Sequence, residues 1–269
     1  MTLTHTVKKF LIHLIFIGCF TSLRAQYIDS SFAQNTSFYK RHDSISYRNP
    51  FPVKSFIAPA AMFLYGVTSI KTDAFQDINE SLKEEIWEDH PHKTVHIDNY
   101  LQFAPAVAVY GLNMAGIKGK HNLRDRSLIY LMSNIFLNAA VTPIKNITKE
   151  QRPDGTPNTS FPSGHTTEAF ASAEFLREEY KDVSPWYGIA GYAVATATGV
   201  LRMYNNKHWL SDVVAGAGLG IVSTRLAYWL YPIITKHIFK DKHTSTAFMP
   251  YYQNRVIGLS FVHAFAGIN

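Results

Sequence analysis

Uncharged stretches of 16 to 23 residues recur along this chain, at 55–70, 99–117, 127–144, 183–201 and, interrupted only by Arg225, 213–235. Each is rich in Ala, Gly and aromatic residues, is bounded by charges, and is too long for a strand, so its length predicts a helix. With Thr166 to Tyr180 they make six helices, and the expected fold class is all-α, a six-helix bundle over 51–240. Runs of 16–19 residues lie at the lower edge of what crosses a hydrocarbon core roughly 30 Å thick. The mean hydropathy of −0.07 is low for six spans, and Gln102, Asn113, Asn134 and Asn138 inside the runs suit a soluble or partly immersed bundle. Against that, the last run ends in "AYWLYPII", which has the aromatic character of an interfacial belt and tips the reading toward membrane association.

Outside the runs the chain divides readily. Residues 1–25 read as a signal peptide: a basic "MTLTHTVKK", an apolar "FLIHLIFIGCF" too short to span comfortably, and a small residue, Ala25, before Gln26. Export with cleavage is the expectation. The single cysteine, Cys19, lies in this leader, so neither a disulfide nor thiolate chemistry is expected after cleavage. Losing Lys8, Lys9 and Arg24 takes the formal charge from +6 to +3. With no run of Lys and Arg, that balance gives no reason to expect nucleic acid. Residues 26–50 are a polar lead-in.

Within 71–100, Phe75, Ile78, Leu82 and Ile86 recur at helical spacing and predict an amphipathic helix inserted between the first two runs. His90, His92 and His96 follow; a proline between the first two spoils ligand spacing, so no metal is expected and they read as loop histidines. The tail, 241–269, alternates at Ile257, Leu259, Phe261 and Phe265 and is compatible with a short β-hairpin.

Three clusters put charge where the pattern is otherwise apolar. "KNITKEQRP" carries Lys145 and Arg152. "FPSGHTTEAF" puts Ser163, Gly164 and His165 at a loop-to-helix junction, where first-turn N–H groups face an anion and glycine permits close approach. "LRMYNNKHWLSD" carries Arg202, then His208 and Asp212 four apart. On one helix that spacing stacks them, so the carboxylate can accept from one imidazole nitrogen and leave the other with its lone pair. Each has an ordinary explanation alone: a helix-end cation, an N-cap, a surface ion pair. Together and in this order, Lys-x6-Arg-Pro, Pro-Ser-Gly-His and Arg-x5-His-x3-Asp resemble the signature of the type 2 phosphatidic acid phosphatase superfamily. That family includes lipid phosphatases, bacterial nonspecific acid phosphatases, glucose-6-phosphatase and the vanadium haloperoxidases. One departure is Leu201, where the family's third block usually has serine, a secondary phosphate contact.

The resemblance implies a metal-independent, cofactor-free phosphatase. Lys145, Arg152, Ser163, Gly164 and Arg202 would bind phosphate, His208 oriented by Asp212 would attack phosphorus, and His165 would protonate the leaving oxygen. It also implies a phosphorylated lipid as substrate, lipid A or undecaprenyl pyrophosphate among the candidates, with wording near "RPDG" that is similar to the lipid A 4′-phosphatase type. A soluble acid phosphatase or a vanadium haloperoxidase would share these residues. The exported leader would put the site on the periplasmic side of the envelope.

Overall fold

A computed structural model describes residues 51–90, 92–156, 159–238, 245–253 and 256–264. The expected leader at 1–25 and the polar segment at 26–50 lie outside the described residues. The helices are α1 (Val53–Ser69), α2 (Asp73–Lys83, continued by a π-turn over Glu84–Glu88), α3 (Asp98–Leu101), α4 (Ala104–Met114), α5 (Leu123–Thr148), α6 (Gly164–Tyr180), α7 (Pro185–Tyr204) and α8 (Leu210–Ile238). Two segments, Ser245–Gln253 and Val256–Ala264, pair antiparallel with Gln253 opposite Val256.

α8 packs against α1, α5 and α6, and α6 also carries α7. The run "AGAGLG" allows this. A Cβ on Gly220 would stand 2.2 Å from the Thr167 carbonyl of α6, and one on Gly216 2.7 Å from that of Ser163. On another face, a Cβ on Gly218 would stand 2.3 Å from the Pro59 carbonyl of α1. Small residues at these positions bring three backbones into contact, as in close helix pairs generally. The apolar contacts of α6 continue on both sides: Phe175 and Tyr180 pack with Val109 of α4, and Ala169 and Ala173 with Ala195 of α7.

The α6 helix also buries charge in closed sets. Glu174 accepts from Arg177 Nε at 2.8 Å, Arg225 Nε at 2.6 Å and the Tyr192 hydroxyl. Glu179 accepts from Tyr228 at 2.8 Å and pairs with His121 at 2.7 Å. Removing one partner from such a set typically costs ~3–5 kcal/mol, because the remaining charge stays buried.

The described residues hold eight α-helices where the uncharged runs suggest six: α2 is the amphipathic helix expected within 71–100, and α3 is the addition. The run 99–117 is broken at Gln102 and Phe103, with Pro105 in the first turn of α4, where its missing N–H costs nothing. α5 runs past its expected start at 127 because Asn122 caps it at Asp125 N (2.9 Å) and Arg126 bonds the His121 carbonyl (Nε, 3.0 Å). In α2 the spacing puts Ile78 on the buried face, yet Ile78 is 43% exposed and Asn79 is buried. Asn79 donates to Ser211 Oγ at 2.9 Å and accepts from Ser211 N at 3.2 Å, so α2 supports the first turn of α8. His92 is also more than a solvated loop residue: its ring stacks on Tyr204 at 3.6 Å and its Nε2 bonds the Tyr204 carbonyl at 2.7 Å.

Candidate active site

All three charged clusters meet at one end of the bundle, where α5 ends, α6 and α8 begin and α7 ends. α5 terminates at Lys149, in the left-handed region at φ 48° with its N–H returning to the Lys145 carbonyl at 3.1 Å. The chain then loops back. Ser160 N donates to the Glu150 carbonyl at 2.9 Å, Trp209 Nε1 to that of Gln151 at 2.9 Å, and Lys207 Nζ to Asp154 Oδ2 at 2.6 Å. The first bond closes the loop on itself, and the other two clamp Gln151 and Asp154 onto the α7–α8 connection.

His208 is buried, with Nδ1 3.3 Å from Asp212 Oδ2, so the i,i+4 pair forms. The same carboxylate oxygen accepts from Trp209 N at 2.9 Å and from Ser160 Oγ at 2.5 Å, and the Ser160 hydroxyl lies 3.5 Å from His208 Nδ1. An Nδ1–H directed at Asp212 leaves the Nε2 lone pair of His208 available. Ser163 N donates to the Asp212 carbonyl at 3.1 Å, tying α6 to α8 inside the site.

Lys145 Nζ donates to the carbonyls of Thr159 (2.5 Å) and Ser160 (3.1 Å). Arg202 donates from Nη1 to Asp98 Oδ2 at 2.6 Å. The Nε atoms of both Arg152 and Arg202 are buried without a partner. A buried guanidinium N–H so placed costs free energy unless an anion accepts from it, so the pair fits a bound oxyanion. The Ser163 hydroxyl is the N-cap of α6, 2.9 Å from Thr166 Oγ1 and 3.4 Å from Thr166 N, and is fully buried. What this junction offers an anion is the first-turn N–H groups of Gly164 and His165. A Cβ on Gly164 would meet nothing within 4 Å, so the backbone there stands open. His165 Nε2 lies 2.8 Å from Asn99 Oδ1.

The electrostatics follow from this packing. Burial, helped by Arg202 and Lys145 and opposed by Asp212, pulls His208 down to about 4. Burial, then Arg202, Arg152 and Lys145, opposed by Asp98, pulls His165 to about 4 as well. Both rings are therefore neutral near pH 7, and a dianion beside them would raise both. The Glu150 carboxyl is pushed up by its burial and by the Asp212 carboxylate beside it.

Four residues in this site escape the sequence patterns. Ser160 and Glu150 lie between the charged clusters without a distinguishing spacing. Asp98 and Asn99 lie 104 and 66 positions from the residues they bond; the only local signal is a lone acid at the edge of an apolar run.

Residues 126–236 match the model of the PAP2 superfamily. Over 139 residues the chain is 40% identical to a lipid A 1-phosphatase of Porphyromonas gingivalis, covering 51% of this chain and 31% of that protein. Over 73 residues it is 36% identical to the bacitracin transport permease protein BcrC of Bacillus licheniformis, covering 27% and 34%. The chain thus spans about a third of the length of these relatives. Two solved structures are similar at 20% identity. A transmembrane PAP2-type phosphatidylglycerolphosphate phosphatase from Bacillus subtilis has a TM-score of 0.44, covering 69% of this chain and 98% of that one. Aquifex aeolicus LpxE has a TM-score of 0.42, covering 56% and 94%. The match to the PAP2 superfamily, residues 126–236, takes in every candidate site residue from Lys145 to Asp212.

Proposed function

We propose that this chain is a membrane-associated lipid phosphatase that works through a phosphohistidine on His208. The observation that carries the reading is the burial of two guanidinium Nε groups without partners beside a histidine whose Nδ1 faces a carboxylate. Arg152, Arg202, Lys145 and the first-turn amides of α6 hold the phosphoryl oxygens, with Ser163 fixing that turn. His208 Nε2 attacks phosphorus as the bond to the leaving oxygen breaks, and His165 gives that oxygen its proton. A water then attacks phosphorus, returns a proton to His165, and displaces His208 as the P–N bond breaks. The charge developing on the phosphoryl group meets donors already in place. No step calls for a metal.

The lipid character of the substrate is supported by α5 and α8, which are long and apolar enough to cross a membrane over Leu123–Thr148 and Leu210–Thr235. Leu131, Ile135 and Ile147 on α5 stand exposed, as lipid-facing side chains would. The P. gingivalis relative is named for the 1-phosphate of lipid A, whereas the wording near Arg152 resembles the 4′ type; a phosphorylated saccharide lipid is the substrate class we infer, acted on outside the cytoplasm if the leader is used.

The test is phosphate release from lipid A, phosphatidic acid and undecaprenyl pyrophosphate, beside a water-soluble ester, with His208→Ala as control and acid-quenched trapping of the phosphoenzyme. The wild-type chain should release phosphate from a lipid and carry an acid-labile, base-stable label that His208→Ala lacks. Full activity in His208→Ala would overturn the mechanism. Equal turnover of the soluble ester without detergent would overturn the lipid assignment.

A further inference from the structure

Residues 92–99, which run into the first turn of α3, form a strap fastened to the C-terminal end of α7. His92 holds the Tyr204 carbonyl and stacks on its ring. Val95 and Asn205 exchange two bonds: Val95 N donates to Asn205 Oδ1 at 2.8 Å, and Asn205 Nδ2 donates to the Val95 carbonyl at 2.7 Å. The strap ends on two consecutive residues that reach different helices. Asp98, fully buried, takes Arg202 Nη1 at 2.6 Å, and Asn99 Oδ1 lies 2.8 Å from His165 Nε2.

We propose that Asp98 and Asn99 are positioning residues for phosphoryl transfer, one setting the Arg202 fork and the other the ring and tautomer of His165. This rests on the roles given to His165 and Arg202 above. Asp98 engages Nη1 and leaves the buried Nε of Arg202 without a protein partner, free to donate to a phosphoryl oxygen. Asn99 Oδ1 can only accept, so it holds one proton on Nε2; the ring takes up its second proton, on Nδ1, when the phosphate dianion binds beside it, and that proton passes to the leaving oxygen. As it passes, the Nδ1–H bond breaks and an O–H bond forms on the leaving group, and the ring is left neutral with its Nε2–H still on Asn99. An amide acceptor also stabilises the imidazolium without adding a second negative charge beside the phosphate. Two elements far apart in sequence are thereby locked to one strap, and a bound phosphate meets both at fixed angles.

The experiment uses two substrates in the same detergent micelles. Phosphatidic acid has an alkoxide leaving group that needs a proton; p-nitrophenyl phosphate has one that barely does. His165→Ala should lose far more kcat on phosphatidic acid than on p-nitrophenyl phosphate. Asn99→Ala should show the same pattern at smaller size, roughly tenfold on phosphatidic acid and under about twofold on the aryl ester, within the range of general acid catalysis. Asn99→Asp would put a carboxylate on His165 alongside Asp98, against Arg202, Arg152 and Lys145, and should move the limb of the pH profile assigned to His165 to higher pH. Asp98→Ala should weaken inhibition by inorganic phosphate about tenfold, whereas Asp98→Asn, which keeps an acceptor for Nη1, should not.

A His165→Ala variant that slows both esters equally would overturn the mechanism itself. A selective loss in His165→Ala with an unselective or absent effect in Asn99→Ala would overturn this inference and leave the mechanism standing. Phosphate inhibition unchanged in Asp98→Ala, with only the melting temperature lowered, would reduce Asp98 to a structural role and overturn its half of the proposal.

Discussion

Replacing Gly220 with alanine adds one carbon, and the structure says where it goes. The new Cβ would lie 2.2 Å from the Thr167 carbonyl oxygen and 2.9 Å from Ala171 N, both backbone atoms of α6. Ordinary contact begins near 3.4 Å, so α6 and α8 must separate locally by about 1.2 Å. Overpacking of this kind typically costs about 1–3 kcal/mol. The functional cost should be larger, because Thr167 is one turn from Ser163 and the Ser163 N–Asp212 carbonyl bond, 3.1 Å, crosses this same seam. Moving the start of α6 by about 1 Å shifts His165 and the first-turn amides relative to His208, and misplacement of that size can cost about 10² in rate. The control is Gly111→Ala on α4, where a Cβ meets nothing within 4 Å. Relief of glycine's backbone freedom should there stabilise by about 0.5–1 kcal/mol and leave activity unchanged. Thermal unfolding and phosphate release per folded molecule, measured in one detergent, separate the two effects. A Gly220→Ala protein as active and as stable as Gly111→Ala would refute the claim that this seam sets the site.

Two further expectations follow from the site. Ser160→Ala removes the 2.5 Å bond to Asp212 Oδ2 and should lower kcat about tenfold, in line with ~1.5–3 kcal/mol for a hydrogen bond to a charged group, with KM little moved; a change confined to KM in steady-state kinetics would count against it. Stability should fall as the pH drops from about 6.5 toward 4, because the unfolded chain takes up protons near 6.5 while buried His208 and His165 resist until about 4, so the folded state is favoured fully only above that window. Inorganic phosphate should reduce the loss by raising both folded values, and His208→Asn should flatten it; melting curves from pH 8 to 4 that respond to neither would contradict the assignment.

What could be read from the sequence, and what could not, divides by the range of the interaction. The His208–Asp212 pair was legible from its spacing and the structure places the two 3.3 Å apart, yet not on one helix: α8 begins at Leu210, and His208 meets Asp212 from the connection just ahead of it. The uncharged runs announced helices by an equally local pattern. Their ends were misjudged wherever a charge acquires a distant partner: Arg126 continues α5 because Glu179, on α6, lies 3.6 Å away, and no window around Arg126 contains that fact. Ile78 and Asn79 exchange places for a like reason, since the bond that buries Asn79 is to Ser211. The same limit applies to the site. Its diagnostic blocks lie between Lys145 and Asp212, and residues in them are held by residues outside: Arg202 by Asp98, His165 by Asn99, Ser211 by Asn79. A histidine that must carry its proton on a chosen nitrogen needs an acceptor in a fixed place, and the first turn of α8 supplies one for His208 from close by in sequence, whereas nothing local does so for His165. The strap that runs into α3 supplies it from 66 residues away, so mutations confined to the three blocks would test the reacting groups and leave untested what aims them.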